Sequence, residues 1–127
     1  MPMEGKQARI EAALRAAPVV PVMVIDDYKT AVPLARALVA GGLPVLEITL
    51  RTVTALESIK AIIAEVKTAI VGAGTVLTPA QLHQVARLGC AFAVSPGSSP
   101  QLLQAAADSS VPLLPGEHVT VRVARYR

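Results

Sequence analysis

An acid and a base stand four residues apart in the segment Leu46–Thr52, at the end of a strongly apolar run. Successive side chains of a β-strand point to opposite faces, so a strand through this segment predicts Glu47, Thr49 and Arg51 on one face. Glutamate and arginine are rarely buried without a partner or a task. The pattern therefore favours a polar site where this strand ends, and a structural ion pair between Glu47 and Arg51 is the alternative.

The elements that would position these side chains repeat along the chain. Apolar β-like runs cover Val19–Ile25, Val45–Leu50, Ala69–Ala73, Ala91–Ser95 and Val111–Leu114. Helical stretches between them cover Thr30–Ala40, Thr54–Val66, Pro79–Leu88 and Ser99–Ala107, with Thr78 and Ser99 as N-caps. This rhythm predicts a parallel α/β fold with about five βα units. A complete (β/α)8 barrel needs about 250 residues, so the prediction is either an open sheet or an incomplete barrel.

Composition excludes several classes of protein. Hydrophobic residues make up 53% of the 127 residues and charged residues 17%, which argues against disorder. Aromatic residues are too few to stack on bases, and the net charge of +3 is too small to favour nucleic acid or membrane as a partner. The apolar runs are too short to span a bilayer, residues 1–15 lack a signal-peptide core, and Cys90 has no second cysteine. We therefore expect a soluble, cytoplasmic protein.

The Gly72-Ala73-Gly74-Thr75 segment follows one predicted strand and precedes a helix. It is an incomplete dinucleotide-binding motif, because Leu77 stands in place of the third glycine and no ribose-binding acid fits. The glycines instead favour a tight turn that leaves the Thr75 hydroxyl facing a ligand.

The remaining reactive side chains do not form a recognisable site. His83 and His118 lack partners at metal-ligand spacing, so no metal site is predicted. Cys90 precedes an apolar strand and is interpreted as a packing residue. Ser95–Gly97 and Pro115–Gly116 close the fourth and fifth strands, either as punctuation or, in a barrel, at the end where active sites lie.

Four motifs occur in order: Leu-Glu-Ile-Thr-Leu-Arg-Thr, Gly-Ala-Gly-Thr-Val-Leu, Ser-Pro-Gly and Val-Pro-Leu-Leu-Pro-Gly. Together they closely resemble the 2-keto-3-deoxy-6-phosphogluconate (KDPG) / 4-hydroxy-2-oxoglutarate (KHG) aldolases, from about residue 8 to Gly116. The resemblance implies a class I aldolase on a (β/α)8 TIM barrel, usually a homotrimer, which needs no metal or cofactor. It implies that Glu47 is the general acid/base, that Arg51 and Thr75 hold the pyruvate carboxylate, and that Pro96 lines the pocket.

The same resemblance places a Schiff-base lysine on a sixth strand. None of the lysines of this sequence matches that position; they are Lys6, Lys29, Lys60 and Lys67. We therefore expect an incomplete TIM barrel over residues 1–116 with an N-terminal helix, and little or no turnover from this chain alone. Residues 117–127 are predicted to be a non-family tail with a short strand, as a frameshift or truncation would produce.

Two further hypotheses follow from the same residues. An incomplete barrel has unpaired edge strands, so the chain is either part of a catalyst or a non-catalytic half-barrel that associates with itself or a partner. A carboxylate-binding protein that uses Arg51 and Thr75 is the third hypothesis. The parent aldol is KDPG, which yields pyruvate and glyceraldehyde 3-phosphate, or KHG, which yields pyruvate and glyoxylate.

Overall fold

The structure is a computed structural model that describes residues 2–17 and 19–115. Helices and strands alternate along these residues, after one N-terminal helix. The elements are α1 Pro2–Arg15, β1 Val22–Met23, a 3₁₀ turn Tyr28–Thr30, α2 Ala31–Ala40, β2 Val45–Thr49, α3 Ala55–Glu65, β3 Ile70–Gly74, α4 Pro79–Leu88, β4 Phe92–Ser95, α5 Pro100–Asp108 and β5 Leu113–Pro115. The predicted tail of residues 117–127, with its strand and His118, lies outside the described residues.

The five strands form one parallel sheet in the order β1-β2-β3-β4-β5. Each strand lies beside the next one in the sequence. Because such crossovers are right-handed, consecutive connections in one direction place all the linking helices on the same face of the sheet. This is the winding of a (β/α)8 barrel, and it decides between the two predicted architectures in favour of the barrel type.

The two faces of the sheet have different cores. Leu46, Ile48, Val71 and Ala73 point into a large cluster with buried residues of the helices α2–α5, and three of the four are fully buried. Burying a leucine or isoleucine stabilises the fold by about 1.5–3 kcal/mol, so this layer supplies most of the apolar driving force.

A smaller cluster lies on the opposite face, where Ile10 of α1 and Ala17 pack with Val45 and Phe92. Val45 and Phe92 stand near the beginnings of β2 and β4. Helix α1 therefore covers the amino ends of the strands and leaves their carboxyl ends open on this face.

The two predicted helix N-caps, Thr78 and Ser99, are confirmed. The Thr78 and Ser99 side chains accept hydrogen bonds from the backbone N–H groups of Gln81 and Leu102, and each is followed by proline at the first helical position. Gly89 ends α4 in the left-handed conformation at φ 90°.

The first strand consists of Val22 and Met23 only, so it is much shorter than the predicted Val19–Ile25 run. Pro21 stands directly before it and has no N–H to donate, although its carbonyl accepts a 3.0 Å bond from Glu47 N–H. No described helix is long and apolar enough to cross a membrane.

Candidate active site

The carboxyl ends of the parallel strands meet at one edge of the sheet, and the predicted site residues gather there. Thr49 ends β2, Gly74 ends β3 and Ser95 ends β4. Arg51, Thr75 and Pro96 follow these three ends within two residues. In barrel folds this edge is where the loops build active sites.

Glu47 is the one acidic side chain within the described strands, and it points away from the helix layer. It is half-buried between buried neighbours and pairs in register with Gly72 of β3. Its carboxylate lies across the adjoining Gly74, where a side chain would collide with it. Burial raises the pKa of Glu47 above its ordinary value, and no neighbouring charge contributes to that shift.

Arg51 does not continue the strand, so the prediction that it shares a strand face with Glu47 is wrong. β2 ends at Thr49 and Arg51 lies exposed in the following turn. The Leu50 N–H donates to the Gly74 carbonyl at 2.9 Å, whereas the Thr52 hydroxyl donates to the Ile25 carbonyl at 2.7 Å. Bonds on both sides therefore hold the Arg51 backbone at the strand ends, with its guanidinium free to face solvent or a ligand. The alternative of a structural ion pair with Glu47 is not supported.

Thr75 adopts the left-handed backbone conformation at φ 59°, the one non-glycine residue among those described to do so. For a β-branched residue this conformation is a genuine outlier that costs on the order of 1–3 kcal/mol, and such strain is concentrated at functional sites. The Val76 N–H directly after it donates to the Val94 carbonyl at 3.0 Å. The predicted turn at the glycine motif is thus present, but the residue in the special conformation is Thr75 itself.

Pro96 lies exposed in the loop after β4. This loop begins at Ser95, which is buried, and the Ser95 and Ser98 hydroxyls lie 3.1 Å apart across it. The structure therefore brings Pro96 to the same edge as Glu47, Arg51 and Thr75, one strand further along the sheet.

The lysines all lie away from the strands. Lys6 of α1 donates to the Ala106 and Ala107 carbonyls at 2.8 and 3.2 Å, which ties α1 to the end of α5. Lys29 is in the 3₁₀ turn, Lys60 is on α3 and Lys67 follows α3. None of the four lysines therefore lies on a described strand.

Two features of the site were not predicted from the sequence. The Thr52 and Thr54 hydroxyls both donate to the Ile25 carbonyl, at 2.7 and 2.8 Å, and so tie the Arg51 turn to the end of β1. Gly74 adjoins the Glu47 carboxylate. The two threonines that follow Arg51 in the sequence could have predicted that hydroxyl groups hold this turn. The contact between Glu47 and Gly74 could not be predicted in this way, because it depends on the register of two strands.

Other candidate sites are weaker. Burial raises the pKa of the Cys90 thiol to about 12, so it is not a ready nucleophile. Within residues 2–17 and 19–115, no group of three or more His, Cys, Asp or Glu side chains could hold a metal ion. An apolar groove of ≈ 360 Å³ between α1, α5 and β5 does not include Glu47. The open strand ends are therefore the best candidate.

Comparison with known proteins gives a consistent result. The family model of KDPG and KHG aldolase matches residues 10–124. The KHG/KDPG aldolase of Escherichia coli K12 is 52% identical over 90% of this chain and 54% of its own length. The 2-dehydro-3-deoxy-phosphogluconate aldolase of Zymomonas mobilis is 54% identical over 84% of this chain and 51% of its own. The chain thus spans about half the length of the curated relatives it matches.

Solved structures agree in fold as well as in sequence. The Legionella pneumophila KDPG aldolase, with pyruvate captured as a covalent carbinolamine intermediate, has a TM-score of 0.79 and 47% identity over 82% of this chain and 50% of that one. The Zymomonas mobilis aldolase with 3-phosphoglycerate has the same TM-score and 54% identity over 84% of this chain and 50% of that one.

Proposed function

The chain belongs to the KDPG and KHG aldolase family, and we propose that it carries the proton-transfer and carboxylate-binding part of a class I aldolase site. The observation that carries this proposal is the half-buried Glu47 carboxyl at an open strand end, with Arg51 and Thr75 anchored at the same edge. The association module and the simple carboxylate-binding protein are not favoured by the relatives, which are named as aldolases.

Glu47 is proposed as the general acid/base. A proton-transfer group works best when its pKa lies near the working pH, and burial moves the pKa of Glu47 in that direction. In the cleavage direction, the carboxylate accepts the proton of the C4 hydroxyl while the C3–C4 bond breaks. The bonding electrons pass to the iminium nitrogen, so that an enamine forms and C4 leaves as the aldehyde. Glu47 then gives the proton to C3 of the enamine, and water hydrolyses the resulting iminium to pyruvate and the free lysine.

Arg51 and Thr75 are proposed to hold the carboxylate of the keto acid. An arginine fork offers paired N–H donors that match the two oxygens of a carboxylate. The Legionella relative was captured with pyruvate, which has such a group. The turn at Thr75 places this residue at the end of β3, and Pro96 would line the pocket on the side of β4.

The Schiff-base lysine is proposed to come from residues other than those of this sequence. Lys6, Lys29, Lys60 and Lys67 lie on helices or beside them, and none extends from a strand that carries the site. The 127 residues alone are then expected to cleave neither KDPG nor KHG. The proposal further includes a homo-oligomer, trimeric as the resemblance implies, without a cofactor and in the cytoplasm.

Borohydride trapping with pyruvate tests this assignment. A hybrid enzyme would carry residues 10–115 of this chain in place of the matched segment of the Escherichia coli aldolase. We expect one pyruvate adduct per hybrid chain by intact mass, less adduct with R51A, an unchanged amount with R36A, which changes an exposed arginine of α2, and none on the 127-residue chain. A folded hybrid without adduct, or an adduct on the chain alone, would contradict the proposal.

A further inference from the structure

We propose that Gly74 is a positioning residue whose missing side chain forms the seat in which the Glu47 carboxylate lies. That the carboxylate lies in this seat is a statement about the fold alone. That the seat matters for catalysis rests on the role proposed for Glu47. Neither a dinucleotide motif nor a turn explains why the second glycine of the Gly72-Ala73-Gly74 segment is needed. The space that it leaves for the Glu47 carboxylate does.

The strand register defines the geometry. Glu47 is paired with Gly72, and Thr49 is paired with Gly74, so Gly74 lies two residues closer to the carboxyl edge than the residue paired with Glu47. A Cβ atom built on Gly74 would lie 3.0 Å from Glu47 Cδ and 3.2 Å from Cγ, and closer still to Oε2. The Glu47 side chain therefore extends from β2 over β3, and its carboxylate occupies the space that the side chain of any larger residue at position 74 would fill.

The neighbouring glycine explains why the side chain leans toward the open edge. A Cβ on Gly72 would collide with the ring of Phe92, which packs over β3 from β4. Phe92 is 1% exposed and belongs to the cluster that includes Val45 and Ile10. The ring thus occupies the space over Gly72, and the carboxylate lies over Gly74, nearer the site.

Backbone conformation does not explain the glycine. Among the described glycines, only Gly42 and Gly89 have positive φ, so Gly74 has a conformation that any residue adopts. Glycine weakens the interior of a strand because it costs entropy and has no side chain to pack. The space needed by Glu47 is the remaining reason for a glycine at this position.

Gly74 also connects the three site residues. Its carbonyl accepts the Leu50 N–H bond that holds the Arg51 turn, and the strained Thr75 follows it directly in the chain. A displaced Glu47 carboxylate would therefore lose its position relative to both proposed carboxylate-binding residues.

A double-mutant cycle with G74A and E47A tests the seat without using activity. We expect G74A to shift the unfolding equilibrium toward the unfolded state by about fivefold or more in the parent chain, as overpacking does, and by less than about twofold in the E47A background. If G74A does not fold, the double variant E47A/G74A tests the proposal instead. We expect this double variant to fold, because it lacks the Glu47 side chain with which the added methyl group would collide. A double variant that does not fold, or an equal cost in both backgrounds, would overturn the proposal. G97A, with open space around its added methyl group, is the matched control.

The titration of Glu47, followed by NMR of its side-chain carbon, is a readout that general loss of packing would not move. In folded G74A we expect the pKa of Glu47 to fall toward its ordinary value, because the carboxylate is displaced into solvent; in G97A it stays as in the parent. An unchanged pKa in G74A would contradict the seat. Both experiments use the chain without substrate, so an inactive enzyme would count against the proposed function and not against this inference.

Discussion

At the scale of single residues, burial is the feature that distinguishes Glu47. It lies on a strand among apolar side chains, and no ionic partner contributes to its pKa, which burial raises. A buried carboxyl without a cationic partner is costly when charged, so the fold tolerates Glu47 at some expense to stability. Such expense is typical of functional sites, where the needs of the chemistry oppose those of folding.

The pH dependence of stability should reveal this expense. Because the folded-state pKa of Glu47 is raised, the folded chain binds more protons there than the unfolded chain does, and stability falls as pH rises from about 4.5 through the folded pKa. In E47Q we expect this loss to disappear, so that the variant is at least as stable as the parent at pH 7.

Urea unfolding at several pH values measures the effect. E65Q, which changes an exposed glutamate of α3, is the control and should keep the pH dependence of the parent. A parent profile that E47Q leaves unchanged would show that Glu47 is not buried in its charged form.

At the scale of elements, caps and periodicity were readable from the sequence, and strand register was not. The helix Pro79–Leu88 was predicted with its bounds unchanged, because Thr78, Pro79 and Gly89 fix both ends locally. The apolar run predicted for β2 ended at Leu50, one residue after the observed end at Thr49, and Arg51, which the alternation placed on the same face as Glu47, lies in a turn. The contact between Glu47 and Gly74 depends on how β2 and β3 align, which no single strand encodes.

The cap of α4 gives a prediction at this scale. T78A removes the side-chain oxygen that accepts the 3.2 Å bond from Gln81 N–H and should cost about 1 kcal/mol of stability. T68A, at an exposed turn position after α3, is the matched control and should stay within about 0.5 kcal/mol of the parent. Equal effects of the two substitutions in chemical denaturation would contradict the cap.

At the scale of the whole molecule, the sheet formed by residues 19–115 has an unpaired strand edge at each side. Among the described strands, β1 pairs only with β2 and β5 only with β4. Val22 and Val24 near the first edge are 62% and 53% exposed. The open barrel-type sheet was predictable from the number of βα units and the chain length, and an exposed apolar edge of this kind favours pairing with another strand.

We therefore expect the 127-residue chain to self-associate with increasing concentration. V22K places a charge on the open edge and should lower the weight-average mass by light scattering. L77K is the matched control, because Leu77 is 52% exposed in the loop after β3, the middle strand of the sheet. A monomer at every concentration, or an equal response to L77K, would count against association through this edge.

The central claim is that Glu47 transfers protons in a Schiff-base aldolase site, and exchange of the pyruvate methyl protons tests it most directly. In the hybrid enzyme in D2O, NMR should show these protons being replaced through the enamine, and E47Q should slow the exchange by about 100-fold or more. The borohydride adduct should still form in E47Q, since the lysine is intact. Exchange at the parent rate in a folded E47Q hybrid would contradict the claim.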